Sequence, residues 1–297
     1  MKRKHVEKKS KGSGNALLVA VIIILAAGIL FSGWKLISIY LAYKEAADEF
    51  ASMAEEFTTR RDAASSERES SPSASLPVPE SSTGAEADAE PEIIFQTVDL
   101  ECGYTVNFEA MWETNHDVAA WISSDGTAID YPVMHGATND TYIHSNWKGS
   151  YSVAGSIFTN YLCSGYLHEP NTIIYGHNMK DGSMFHSIKS YASQSYYENH
   201  PYMWYVTPEA NYVLYIVGGF VVKTSYDAYT IPDSEEGVRE LLRDARSNSD
   251  FTPDYIISGL DADTIIENAK RMVVLSTCSY EFDNARYIIV AVPLLAH

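Results

Sequence analysis

The chain has 297 residues, a formal net charge of −18 and 46% hydrophobic residues, which is enough for one or two folded domains. The acidic balance argues against a nucleic-acid-binding protein, because such proteins present a basic face to the phosphates. Six basic residues crowd the first eleven positions, so the remainder is even more acidic than the total indicates.

Residues 16–34 are almost purely apolar, and after Lys35 the apolar character continues to Tyr43. About 20 such residues can span a bilayer as a helix. The basic residues before this run predict that residues 1–15 are a cytoplasmic tail, residues 16–43 a single transmembrane anchor, and the rest of the chain extracellular. A cleaved signal peptide is the alternative, but the apolar run is long for one and no small-residue cleavage site follows it.

Residues 44–92 have a different composition. Up to about residue 61 they are charged and rich in alanine, which predicts a helical stalk. Residues 63–91 consist mainly of Ser, Pro, Glu, Asp and Ala and cannot bury a core, so we expect a disordered acidic linker. The folded domain is then expected to occupy residues 93–297.

Many short strands with a few helices between them are predicted in this domain. Apolar runs bounded by turn residues predict strands at 130–134, 156–158, 172–175, 202–206, 212–223, 272–275 and 287–292. Helices are predicted at 108–116, 184–191 and 234–245. Pro132 predicts an edge strand or a bulge, and Gly218-Gly219 is expected to break its strand. The pattern indicates a mainly β fold, a barrel or closed sheet with a few inserted helices.

The strongest chemical signal lies where two of these strands approach each other in sequence. The apolar run 272–275 leads into Cys278, and Arg286 precedes the next strand after a polar loop. If the two strands are antiparallel neighbours, the thiol and the guanidinium lie at the same end of the sheet, a few ångströms apart.

A thiol is mostly protonated at neutral pH and needs a base to become a nucleophile. His177 is the best candidate, because it also follows an apolar strand, with Gly176 allowing a sharp turn or close approach to a ligand. Three roles are then separable. Cys278 attacks a carbonyl, His177 transfers protons, and Arg286 stabilises the oxyanion or the substrate backbone.

Together these residues resemble the sortases, the cysteine transpeptidases of Gram-positive cell surfaces. The resemblance is carried by Leu275-Ser276-Thr277-Cys278 with Arg286, and by Tyr175-Gly176-His177-Asn178 upstream. Residues 129–133, 155–158 and 177–185 are similar to class B of the family. The resemblance covers roughly residues 93–297 and implies a closed sortase-like β-barrel, preceded by the transmembrane helix and linker.

The resemblance also implies acyl transfer in two stages. Cys278 attacks the threonine carbonyl of an Asn-Pro-x-Thr-like sorting signal near the C-terminus of another surface protein, and a thioester remains. His177 protonates the departing amine, and Arg286 holds the threonine or the developing oxyanion. A peptidoglycan amine, or that of its lipid-linked precursor, then accepts the acyl group. No cofactor or metal is expected.

We expect residues near these three to contact the substrate. The predicted substrate-binding residues are Ser276, Thr277, Tyr280, Asn178 and Tyr226. Further tyrosines that could line a peptide groove are Tyr142, Tyr175 and Tyr229. The segment 225–248 is expected to form one groove wall.

Other functions are open alternatives. A pilin-polymerising sortase would use a lysine of another subunit as its nucleophile, but that branch usually has a second membrane span after the domain, and we expect none here. The remaining hypotheses are a tethered β-barrel binding module with an incidental cysteine, and an exported cysteine protease.

The other candidate ligands and cross-links carry weaker signals. Exported chains often pair their cysteines, so a Cys102–Cys163 disulfide is an alternative to the two structural thiols that we expect. The histidines, for example His135 with His144, match no metal-ligand spacing.

Overall fold

The computed structural model describes residues 13–60, 95–279 and 281–296, in two units, Met1–Glu45 and Ala46–His297. The first twelve residues of the predicted basic tail and the whole predicted linker, residues 63–91, lie outside the described residues. Helix α1 spans Ser13–Phe57, and its apolar part is long and apolar enough to cross a membrane by length and composition. It is the one such helix among the residues described.

The second unit is built around a closed barrel of eight strands, which confirms the predicted mainly β fold. Two short strands outside it, β1 (Thr58–Arg60) and β2 (Tyr104–Val106), form a separate antiparallel pair. The barrel strands are β3 (Val118–Ser123), β4 (Asp130–Met134), β5 (Ile157–Thr159), β6 (Asn171–Tyr175), β7 (Tyr202–Val206), β8 (Asn211–Lys223), β9 (Met272–Cys278) and β10 (Ala285–Leu295). Their order around the barrel is β10-β8-β7-β3-β4-β5-β6-β9, with β9 closing onto β10.

In the part of the chain that the structure describes, five α-helices and two 3₁₀ segments accompany these strands. The helices that follow α1 are α2 (Phe108–Trp112), α3 (Gln194–Asn199), α4 (Glu235–Asn248) and α5 (Ala262–Glu267). The predicted helix at 184–191 is a 3₁₀ segment, Phe185–Ala192, and a second 3₁₀ turn spans Asp227–Tyr229. Helix α4 begins as predicted, because the Ser234 side chain accepts a hydrogen bond from the Gly237 N–H.

The expectation that Gly218-Gly219 breaks a strand is wrong. Strand β8 runs without interruption and pairs with β10 along its length, with one register shift between Val290 and Ala291. A Cβ on Gly218 would lie 2.6 Å from the Ala245 carbonyl oxygen. The glycine therefore allows α4 to approach the outer face of the sheet.

Pro132 is not on an edge strand, since β4 lies between β3 and β5 in the closed barrel. Pairing to β5 involves only Val133 and Met134 of β4, so Pro132 needs no N–H on that side. Pro132 is not in a bulge either, because it pairs in regular register with Trp121; the register shift of this strand pair lies in β3 between Val118 and Ala120.

The expected start of the folded domain at residue 93 differs from the structure, because residues 46–60 belong to the same unit as the barrel. Apolar side chains at helical spacing are buried in the last turns of α1: Ala46, Phe50, Met53 and Phe57. The Phe50 ring packs edge-on against Tyr131 and the Phe57 ring against Trp147, with centroids 5.2 Å and 5.6 Å apart. The end of the predicted stalk therefore packs against the folded domain through this apolar face.

Candidate active site

The barrel brings Cys278 and Arg286 together as cross-strand partners of β9 and β10, which confirms that these strands are antiparallel neighbours. The Ser279 N–H donates to the Ala285 carbonyl at 2.9 Å, so Cys278 and Arg286 form the adjacent non-hydrogen-bonded pair. Side chains approach most closely at such a pair, where the Cα atoms are about 4.5 Å apart. The thiol and the guanidinium thus share one face at one rim of the barrel.

His177 lies at the same rim, two residues after β6 ends. Strands β6 and β9 are parallel, with Tyr175 opposite Ser276. The pairing continues past the strand end, because the Gly176 N–H donates to the Ser276 carbonyl at 3.1 Å. Both chains therefore leave the sheet together, and His177 follows at the level of Cys278.

The imidazole of His177 is held by backbone. Its Nε2 lies 2.7 Å from the carbonyl oxygen of Ile143. A carbonyl can only accept, so Nε2 carries a proton and Nδ1 is the second ring nitrogen available for proton exchange. The His144 ring stacks on the other ring at a centroid distance of 5.7 Å and an interplanar angle of 15°. Residues 143 and 144 thereby fix both the tautomer and the tilt of His177.

A cleft of about 500 Å³ opens over these groups. It is lined by Asn139, Ile143, Phe158, Tyr175, Gly176, His177, Thr224, Tyr229, Ser276, Thr277, Cys278 and Arg286. Cys278 is partly exposed in it and is not sealed in the core. The cleft can therefore present a ligand carbonyl to a thiol with an imidazole and a guanidinium nearby.

The predicted substrate-binding residues differ in whether they line the cleft. Ser276 and Thr277 line the cleft, and the Thr277 hydroxyl donates to the Gly176 carbonyl at 2.8 Å. Asn178 is not among the lining residues and instead donates from Nδ2 to the Cys278 carbonyl at 2.9 Å, which ties the two strand ends together. Tyr226 points elsewhere, with its hydroxyl bonded to Asp244. Tyr280 lies outside the described residues.

Tyr229 has a larger part in the cleft than the sequence indicated. Its hydroxyl lies 2.7 Å from the Ser276 hydroxyl, two residues before Cys278. Burial raises the pKa of Tyr229 to about 12, and the charges of Cys278 and Arg286 act on it in opposite directions. The phenol is therefore neutral and can donate a hydrogen bond across the physiological range.

The 3₁₀ turn that carries Tyr229 is fixed from below by Asn171. This fully buried side chain donates from Nδ2 to the carbonyl oxygens of Ala228 and Thr230, at 2.8 Å and 2.7 Å. Because Asn171 is the first residue of β6, one strand positions Tyr229 at its start and His177 beyond its end.

Several lining residues were missed because they come from loops with no chemical signature. Asn139 and Ile143 belong to the connection between β4 and β5, and Thr224 follows β8. Ile143 acts through its carbonyl group, which every residue has. Nothing in its side chain could have revealed that role.

The other two cysteines are buried thiols, Cys102 at 4% and Cys163 at 1% exposure, and they are not joined to each other. Burial raises the pKa of Cys163 to about 11. A thiol in that environment is a poor nucleophile, in contrast to one in an open cleft. Within the described ranges, no group of three or more His, Cys, Asp or Glu side chains could hold a metal ion.

Known proteins resemble this chain in both sequence and fold, although no protein-family model matches it. The curated sortase B of Listeria monocytogenes is 35% identical over 173 residues, which are 57% of this chain and 65% of that protein. The chain therefore spans slightly less than two thirds of that relative.

Solved structures extend the comparison. The Staphylococcus aureus sortase B–substrate complex has a TM-score of 0.56 at 26% identity and covers 63% of this chain and 84% of that one. Sortase B from B. anthracis in complex with AAEK1 has a TM-score of 0.54 at 30% identity, with coverage of 63% and 84%.

Proposed function

This chain belongs to class B of the sortase family of cysteine transpeptidases, and we propose on that premise that it joins other surface proteins to the cell wall. The observation that carries the proposal is the convergence of Cys278, His177 and Arg286, from three adjacent strands, on one open cleft. A binding module with an incidental cysteine would not need this convergence.

In the first stage, Nδ1 of His177 takes the proton of the Cys278 thiol, and the resulting thiolate attacks the carbonyl of the threonine in a sorting signal of Asn-Pro-x-Thr type. The carbonyl oxygen becomes an oxyanion, and Arg286 stabilises it. Its Nη1 donates to the Ala285 carbonyl at 3.0 Å, which fixes the guanidinium and leaves further N–H groups for the substrate. His177 as imidazolium delivers a proton from Nδ1 to the departing amine, and a thioester with Cys278 remains.

In the second stage, an amine of peptidoglycan or its lipid-linked precursor attacks the thioester. His177 now accepts the proton of that amine through Nδ1, while Nε2 keeps its hydrogen bond to Ile143. The Cys278 thiolate departs, and the surface protein is released in amide linkage to the wall component. Hydrolysis is the competing outcome, with water in place of the amine.

The extended signal would lie in the cleft between the β9 strand end and the wall formed by Thr224 and Tyr229. Support comes from the solved S. aureus relative, which has been observed as a complex with a substrate. We propose that Tyr229 and Ser276 contact the signal. Residues 225–248 would set which residues are accepted.

The apolar segment of α1 would anchor the enzyme in the cell membrane as a single span. The six basic residues before it favour a cytoplasmic N-terminus, with the catalytic domain outside. Protease added to intact protoplasts should then digest the domain. Protection of the domain until the cells are lysed would contradict this orientation.

The reaction is tested on the full chain in detergent, with a library of fluorescence-quenched peptides that vary each position of the signal. Wild type should cleave a subset after threonine, and in the presence of an amine such as triglycine the product should be the amide. Mass spectrometry should detect an acyl adduct on Cys278 during turnover.

The variant Cys278→Ala should abolish cleavage, and Arg286→Ala should leave little activity with an intact fold. Matched controls are Cys163→Ala, which removes a thiol away from the cleft, and Arg271→Ala, which removes an arginine just before β9, at the opposite end of that strand. Both controls should keep most of the activity. Normal cleavage by Cys278→Ala would exclude the mechanism, and hydrolysis alone despite added amine would indicate a protease.

A further inference from the structure

Residues 142–156 form a small hairpin within the connection between β4 and β5, and its base contacts His177. Ser145 and Tyr151 pair across it, and the Ser152 N–H donates to the His144 carbonyl at 2.9 Å. At the base, Ile143 accepts the hydrogen bond from Nε2 and His144 stacks on the ring. Any displacement of this hairpin therefore reaches the histidine directly.

The tip of the hairpin is closed by Asn146, which is only 8% exposed. Its Oδ1 accepts hydrogen bonds from the backbone N–H groups of Lys148 and Ser150, at 3.1 Å and 2.8 Å. This assignment leaves the Nδ2 amide pointing outward from the turn as a donor. Asn146 lies three residues from Ile143, so the closed tip and the histidine contact belong to one rigid piece of chain.

The Nδ2 amide of Asn146 donates to the carboxylate of Glu49, 2.9 Å from each oxygen. Glu49 lies on α1, in the part that belongs to the same unit as the barrel. The Lys148 ammonium lies 3.9 Å from the same carboxylate. Hydrogen bonds to a charged acceptor are among the stronger ones in proteins, and this one joins segments 97 residues apart in sequence.

A second contact reinforces the first. The Phe57 ring, also on α1, packs edge-on against Trp147, which is 2% exposed and follows Asn146 directly. On its far side the Trp147 carbonyl accepts a hydrogen bond from Asn115. The hairpin is thus held between α1 and the start of the barrel, and α1 contributes one polar and one aromatic contact.

We propose that Glu49 is a positioning residue for the reaction, which acts through Asn146 and the hairpin to hold the Ile143 carbonyl against Nε2 of His177. The inference depends on the proposed function for its kinetic consequence only. Glu49 is not among the residues that line the cleft, so we expect no direct contact with the substrate. Its effect is to keep His177 in one tautomer, with Nδ1 free for proton transfer.

The primary test is spectroscopic and requires no substrate. The full chain is labelled with ¹⁵N-histidine, and the His177 signals are identified by their loss in His177→Gln. Long-range ¹H–¹⁵N correlations should show a single Nε2–H tautomer in wild type. In Glu49→Ala the His177 signals should shift toward a mixture of tautomers, and Glu49→Gln, which keeps one acceptor oxygen for Nδ2, should restore most of the wild-type pattern.

The matched control is Glu55→Ala, which removes an exposed carboxylate six residues further along the same helix. It should leave the His177 signals unchanged. With a cleavable peptide from the library, Glu49→Ala should lower kcat about tenfold with little change in KM, because substrate binding is not affected. The melting temperature is measured for each variant to separate positioning from stability.

Two results would overturn the inference. One is a His177 tautomer pattern in Glu49→Ala that equals wild type, whatever the melting temperature does. The other is an equal change in Glu55→Ala. If wild type cleaves no peptide, the proposed function fails, while the imidazole spectra still decide whether Glu49 positions His177.

Discussion

Gly155→Ala should disconnect His177 from its carbonyl partner although neither of these two residues is replaced. Gly155 has a φ of +58°, and a Cβ at this position would lie 2.3 Å from the carbonyl oxygen of Ile143. Ordinary carbon–oxygen contacts are about 3.3 Å or longer, so the carbonyl must move by about 1 Å. A shift of that size takes the 2.7 Å separation from Nε2 outside the hydrogen-bonding range.

The expected loss of folding free energy has two parts. A left-handed backbone costs a residue with a Cβ about 1 kcal/mol, and relief of the overlap costs about 1–3 kcal/mol. The variant should therefore be less stable by about 3 kcal/mol, which lowers Tm by roughly 6–12 °C for a domain of this size. Cleavage should fall by about 10–100-fold, part of the effect of a general acid–base group.

The matched control is Gly149→Ala, in the same hairpin. Gly149 has a φ of +80°, but a Cβ there meets no heavy atom within 4 Å. The control should show the backbone penalty alone, about 1 kcal/mol, with near-normal cleavage. Thermal unfolding and peptide cleavage are measured on both variants. Equal losses in the two, or full activity in Gly155→Ala, would refute the link between the hairpin and His177.

Three further predictions concern accessibility, pH and the turn over the cleft. Iodoacetamide at pH 8 should modify Cys278 in the folded protein but should modify Cys163 only after unfolding, because burial raises the pKa of the Cys163 thiol to about 11. Equal labelling of the two cysteines in the folded protein, measured by peptide mapping, would contradict this. Burial raises the pKa of Tyr229 from its usual 10 to about 12, so its contribution to stability is fully present below pH 10 and is lost between pH 10 and 12. The same pH dependence of the unfolding free energy in wild type and Tyr229→Phe across that window would contradict this. Asn171→Ala leaves the carbonyls of Ala228, which is buried, and Thr230 without their donor. It should lower the unfolding free energy by about 1–3 kcal/mol, measured in urea, and an unchanged midpoint would contradict this.

The chemistry of the site could be proposed from sequence because strand ends carry it. An apolar run followed by a reactive residue predicts a buried strand that delivers that residue to a rim. This pattern occurs before His177 and before Cys278, and Arg286 stands at the start of the following strand. The expectation that the last two strands pair is confirmed, and so is the family resemblance.

The residues that line the cleft were harder to predict, since they depend on which loop folds over it. Tyr226 and Tyr229 are three residues apart and look alike in sequence, but the 3₁₀ turn directs only Tyr229 to the cleft lining. The Asn171 side chain holds that turn from another strand, 57 residues away. No local pattern encodes such a contact.

The pattern of apolar runs, turn residues and one long hydrophobic segment was sufficient to determine a candidate membrane helix and a mainly β domain, and to propose three residues with separable chemical roles. These properties depend on periodicity and on side-chain chemistry, which are visible in short stretches of the sequence. Only the tertiary structure decided that residues 46–60 belong to the barrel unit and that α4 lies close to Gly218. It also decided that the main-chain carbonyl of Ile143 holds His177. Backbone carbonyls and close approaches are the same at every position in a sequence, so their roles exist only once the chain has brought distant segments into contact.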